Sequence, residues 1–248
     1  MDGADTGATP GGAPRTVDGG RGIAWWGEGW ALFTKAAVLW IVLAVIVIIG
    51  LAVLGFIPLV GPLAVALLVP VFAGSWMLAA QKVEGGGTLE VGDLFTCFRG
   101  DKLTPLLVLG ALLLAGTVVI GLVIGTLGVG AMFGVAAGSA HQSMGGMFAA
   151  MGAGMLAVLG GLVLGVLLTM ATWFAPALVV FRNQPAVEAM KASFAASVKN
   201  IVPFLLWSLI YIVAAIVASI PFGLGWIVLV PVLMLTAYAS YKDIFGLV

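Results

Sequence analysis

"AAVLWIVLAVIVIIGLAVLGF", residues 36–56, contains no Lys, Arg, Asp or Glu. A helix needs about 20 mainly apolar residues, rising 1.5 Å each, to cross a hydrocarbon core of about 30 Å. The stretch therefore reads as a transmembrane helix. Five more runs free of charge have a similar length: Leu59–Ala80, Leu103–Leu127, Met155–Phe181, Ile201–Ile220 and Gly223–Tyr241. The whole chain is 62% hydrophobic and 8% charged, whereas a soluble domain carries roughly 25% charged residues. Lipid is the solvent this composition suits. The expected fold is an all-α polytopic membrane protein with six transmembrane helices, forming one domain over residues 23–248.

The charges fix an orientation on that map. Arg15, Arg21 and Lys35 precede the first run; Lys82, Arg99 and Lys102 lie between the second and third; Arg182, Lys191 and Lys199 lie between the fourth and fifth; Lys242 follows the sixth. These are all ten basic residues of the chain. The intervening connections carry none, so the positive-inside rule puts both termini and the two charged loops in the cytoplasm. Residues 1–22, "MDGADTGATPGGAPRTVDGGRG", lack the basic-then-apolar order of a secretory signal and read as a disordered cytoplasmic tail.

Three short segments of mixed apolar and charged character each lead into a span, near 25–35, 89–100 and 185–199. In the last, Val187, Met190, Phe194 and Val198 recur at helical spacing, as in a helix lying in the membrane interface. The expected organisation is three units, each an interfacial helix followed by a hairpin. Pro70, Pro176 and Pro231 fall inside the second, fourth and sixth runs, where each removes a backbone hydrogen bond and is expected to kink its helix. Gly121, Gly125, Gly130, Gly134, Gly138, Gly161 and Gly165 recur at or near four-residue spacing, which in lipid allows close helix packing. Trp25, Trp26, Trp30, Trp173, Tyr238 and Tyr241 stand near predicted ends of spans, where aromatic rings anchor helices at the interface.

"RTVDGGRGIAWWGEGWALF", "LEVGDLF", "WFAPALVVFRNQPAVEAMKASFAASVKNIVPFL" and "VPVLMLTAYASYKDIF" together resemble a family of uncharacterised bacterial six-helix inner-membrane proteins. That family is distantly similar to the membrane domain found beside some glycerophosphoryl diester phosphodiesterases. The resemblance implies a multi-pass protein of the bacterial inner membrane with cytoplasmic termini, and it carries no site residues to transfer. The diesterase chemistry belongs to a separate barrel domain with metal-binding carboxylates, which nothing in this sequence matches.

Chemistry-bearing residues are few. Net charge is zero, so no basic field recruits nucleic acid. His141 and Cys97 are the single histidine and cysteine, too few for a closed zinc site of four ligands. His141 is expected to be a solvated residue of an outer loop, and Met144, Met147, Met151 and Met155, at helical spacing, to be packing residues. No His, Cys or carboxylate stands near the hydroxyls within the spans to activate them. Glu84, Glu90, Asp93, Asp101 and Asp243 read as solvated loop and cap residues. The sequence therefore points to a non-enzymatic structural or partner-binding membrane component with no cofactor, surrounded by lipid and open to a membrane-protein partner or a second copy. A transporter or lipid-handling protein built on the proline-kinked helices is the alternative.

Overall fold

The computed structural model describes residues 13–140 and 144–246, except for the side chains of 137–140. Among them every regular element is helical: α1 (Arg21–Thr34), α2 (Ala37–Gly55), α3 (Val60–Glu84), a 3-10 helix (Val91–Phe98), α4 (Leu103–Ala140), α5 (Met144–Thr172), α6 (Ala175–Arg182), α7 (Ala186–Lys199), α8 (Ile201–Ser219) and α9 (Trp226–Phe245). Six of the helical stretches are long and apolar enough to cross a membrane, so the chain is an all-α polytopic membrane protein. The three segments expected at the interface are α1, the 3-10 helix and α7.

The described residues form two compact units. One takes the chain up to Gly110 and from Ala171 onward; the other is Ala111–Met170. In the first unit α1 packs on α8 and α9, α2 on α3 and α9, and α3 also on the 3-10 helix, α6 and α9. Its core holds Trp25, Trp40, Leu43, Leu106, Phe174, Leu178, Leu235, Tyr238 and Tyr241, all fully buried. The rings of Trp40 and Trp76 stack with centroids 5.5 Å apart, a geometry worth about 0.5–1.5 kcal/mol beyond the area it buries.

Bare glycine faces bring these helices together. A Cβ on Gly110 would stand 2.7 Å from both Cα and carbonyl oxygen of Leu67, and one on Gly225 2.5 Å from Ala218 Cα. On Gly22 it would meet the Pro203 carbonyl, and on Gly61 that of Leu54. None of these four glycines belongs to the series expected from spacing. Within that series, the positions of Gly121, Gly125, Gly130 and Gly165 are open, which corrects their expected packing role. Their spacing follows a helix face with none of the described residues against it. Gly134 faces Ala150, with 3.0 Å to its Cβ, and Gly161 carries the Ile124 side chain. These two contacts, with Gly116 against Leu168, hold the second unit together as a hairpin of α4 and α5. Gly138 lies outside the residues whose side chains are described.

Several other expectations are corrected. Pro176 stands in the first turn of α6, beyond a bend at Trp173–Phe174. There its missing N–H costs nothing, and the fourth run is divided into α5 and α6 instead of kinked. Pro70 and Pro231 do lie inside α3 and α9, both buried. The expected outer loop is mostly helix, because Ala, Met, Leu and Phe sustain α4 to Ala140 and α5 from Met144 without any charge to stop them. His141 lies outside the described residues. Finally, α3 and α9 continue past the apolar runs, through Lys82 and Glu84 and through Lys242 and Asp243. Ion pairing across elements stabilises those extra turns.

Candidate functional site: a cross-braced polar belt

The polar ends of α7 and α9 meet α1 and the segment before it in one network, and further braces tie the end of α3 to α9 and to the 3-10 helix. The Arg15 backbone N–H donates to the Ile244 carbonyl (3.1 Å), and the Val17 N–H to Asn200 Oδ1 (2.9 Å). Asn200 Nδ2 in turn donates to the carbonyls of Arg15 (3.1 Å) and Ala196 (2.9 Å). Asn200 is itself buried. One amide thus ties the segment before α1 to the junction of α7 and α8. The reading of residues 1–22 as a disordered tail is corrected for 14–22, since this segment has its own buried partners and the helix begins at Arg21. Residues 1–12 lie outside the described ones.

Asp243 is the centre of the network. It accepts from Arg21 Nε (2.5 Å) and Trp25 Nε1 (2.9 Å), and Arg15 Nη2 stands 3.8 Å away. Arg21 also reaches Glu28 at 2.6 Å. The hydrogen bond it donates to Asp243, helped by Glu28 and opposed by burial, holds the Arg21 guanidinium above its usual pKa. A second brace joins α3 to α9: Tyr238 Oη donates to Glu84 Oε2 (2.6 Å), and Lys242 Nζ pairs with Glu84 Oε1. A third runs from Lys82 to both oxygens of Asp93 (2.9 and 3.0 Å). Asp93 also accepts from the Glu90 N–H (2.8 Å), closing a capping box at the start of the 3-10 helix.

Sequence reading treated these carboxylates as solvated. Nothing near Asp243 in the chain announces Arg15 or Arg21, so its role was not visible there. Asp93 had one local signal, the acid three residues after Glu90. The aromatic residues divide in a similar way. Trp25, Tyr238 and Tyr241 are fully buried, which corrects their placing as anchors: each ring lies within the helix packing, away from the lipid-facing surface. Trp30 is 53% exposed. Trp26 stacks on Trp207 at 5.5 Å, and Trp173 meets Trp207 edge to face at 4.7 Å. Trp207 Nε1 donates to Thr236 Oγ1 (3.1 Å) and so ties α8 to α9.

Between α1, α3 and α9 lies a cleft of about 210 Å³, lined by Glu28, Lys35, Glu84, Tyr238 and Lys242 together with small and apolar side chains. Of these, Lys35 is exposed. Among the described residues no three His, Cys, Asp or Glu side chains gather as metal ligands. Buried Cys97 sits under Ser75, whose Oγ accepts from the Cys97 N–H (3.1 Å). Burial pushes the thiol pKa up. The arrangement as a whole is a set of charged struts between elements far apart in sequence. No family model matches the chain, and neither does any curated protein or solved structure.

Proposed function

We propose that this integral membrane protein is a non-enzymatic structural or partner-binding component of the bacterial inner (cytoplasmic) membrane, with both termini cytoplasmic. The observation that carries this reading is the use of Glu84, Asp93 and Asp243 as braces: each accepts hydrogen bonds from a different part of the fold. Carboxylates held in this way stabilise a fixed platform. The hairpin of α4 and α5 supplies the complementary part, since only 11% of the most apolar stretch of α4 is buried, against 61% of α9. Met132, Phe133 and Phe148 are exposed on it, a surface suited to an apolar partner within the membrane. The one-sided distribution of basic residues supports the orientation.

Copurification from native membranes tests the proposal. A stoichiometric protein partner is expected with the wild type, and its loss is expected when Met132, Phe133 and Phe148 are changed together to Gln while the protein stays folded. A transporter or lipid-handling role is favoured by one feature: Pro70 and Pro231 lie in α3 and α9, two of the helices that line the 210 Å³ cleft. Retention of a small molecule without any protein partner would establish that role instead.

A further inference from the structure

Five of the ten methionines in the chain fall between Met132 and Met155, and four of them, Met144, Met147, Met151 and Met155, follow one face of α5. From 144 to 155 the only other large side chain is Phe148; the rest are Gly and Ala. The structure leaves the four exposed, by 68%, 36%, 62% and 66% in order, which corrects their expected packing role. The packed face of α5 is a different one, made by Ala150, Ala157 and Gly161, where Gly134 and Ile124 of α4 approach.

Lipid contact does not account for them either. Arg99, Asp101 and Lys102 precede α4 and keep its start out of the hydrocarbon. From Leu103 to Gly134 the helix rises about 46 Å at 1.5 Å per residue. Even tilted by about 40°, the upper end of the usual range, that rise covers about 35 Å, more than the ~30 Å of the hydrocarbon core. A Cβ on Gly134 would stand 3.0 Å from that of Ala150, so Met151 lies at this level and Met147 and Met144 lie beyond it. Below Met155 the exposed positions change to Leu156, Val158, Leu159, Leu162 and Val163. The thioether face is thus confined to the part of α5 at and beyond the edge of the hydrocarbon.

We propose that this face is a binding site for a cuprous ion, held between the thioethers of Met147 and Met151 with Met144 one turn above. Thioethers are soft donors that select Cu(I), whereas Mg(II) and Ca(II) take oxygen ligands. No charged residue stands between Lys102 and Arg182 to serve a harder cation. Residues three or four apart on a helix hold their Cβ atoms about 5–6 Å apart, a gap that flexible Met side chains close onto one ion. Small neighbours leave the approach clear, since a Cβ on Gly145 or Gly152 would meet nothing within 4 Å. The site goes beyond the structural role proposed above and rests on it only for the side of the membrane on which Met144 stands.

Equilibrium dialysis of the full chain in detergent against Cu(I), kept reduced by ascorbate, tests the site whatever the orientation or partner. About one copper per chain is expected, and no zinc under the same conditions. Met147→Leu combined with Met151→Leu keeps the volume and removes both sulfurs; it should lose the copper, and Met190→Leu should keep it. Thioethers have no proton to displace, so the affinity is expected to be equal at about pH 7.5 and about pH 5. A site on the thiol of Cys97, or on the imidazole of His141 outside the described residues, would weaken by more than about tenfold over that range. Such a fall would overturn the proposal, as would a wild type without copper or a double variant that retains it. Should the double variant not fold, the pH comparison on the wild type still decides. A wild type that binds no copper, with a double variant that loses a copurifying protein, would assign the face to a protein partner instead.

Discussion

At the scale of single residues, the polar side chains that matter are those with partners far away in the chain. Asp243 takes hydrogen bonds from Arg21 and Trp25, so Asp243→Ala leaves a buried indole N–H and a guanidinium without their acceptor. Hydrogen bonds to charged groups contribute about 1.5–3 kcal/mol, and a loss at the lower end is expected because Arg21 is partly exposed and keeps its Glu28 partner. Asp243→Asn should cost less, since it retains an acceptor for Trp25. Thermal unfolding of the two variants in one detergent checks the order, and equal losses would contradict it. Cys97 gives a second expectation. Its thiol is buried and its pKa is raised by desolvation, so little thiolate forms near neutral pH. Alkylation in intact membranes should therefore be much slower than after denaturation in SDS, as followed by mass spectrometry; rapid labelling of the native protein would show that the 3-10 helix opens.

At the scale of elements, glycine acts through what faces it. Gly110→Ala places a methyl group against the Leu67 backbone, which cannot swing aside as a side chain can, and overpacking of this kind costs about 1–3 kcal/mol. Gly121→Ala meets open space and gains up to about 1 kcal/mol of helix propensity. Folded yield should therefore fall for the first and hold or rise for the second. A fall for both would mean that Gly121 faces a partner helix outside this chain. Proline obeys the same logic: Pro176→Ala, in a first turn, should leave stability nearly unchanged, whereas Pro70→Ala and Pro231→Ala restore buried backbone N–H groups and alter how α3 and α9 bend. Four-residue spacing alone did not distinguish Gly121 from Gly161, since both positions follow the same helical period and differ only in what lies across from them.

At the scale of the whole molecule, orientation is the property to measure. Gln142→Cys should react with an impermeant thiol reagent from outside intact cells, and Gly92→Cys, whose position has open space around it, only after permeabilisation. The opposite pattern would reverse the proposed topology; buried Cys97 leaves the background low. The solvent, the helical class and the six spans were legible in the sequence because each is a sum over a window of about 20 residues, and the cost of a charge in lipid acts locally on that window. The breaks were less legible. The bend before α6 and the helical reach of α4 to Ala140 depend on which backbone groups find partners, and the Phe174 N–H finds the Ser193 hydroxyl (3.0 Å) across the turn. The braced belt was not legible at all. Arg15 and Asp243 are 228 positions apart, and no local window contains both. Hydrophobicity is additive along the chain and could be read from it; the pairing of a few polar groups is a property of three-dimensional neighbours, so only the tertiary structure decided which carboxylates brace the fold, which aromatic rings are core and which glycines are contacts.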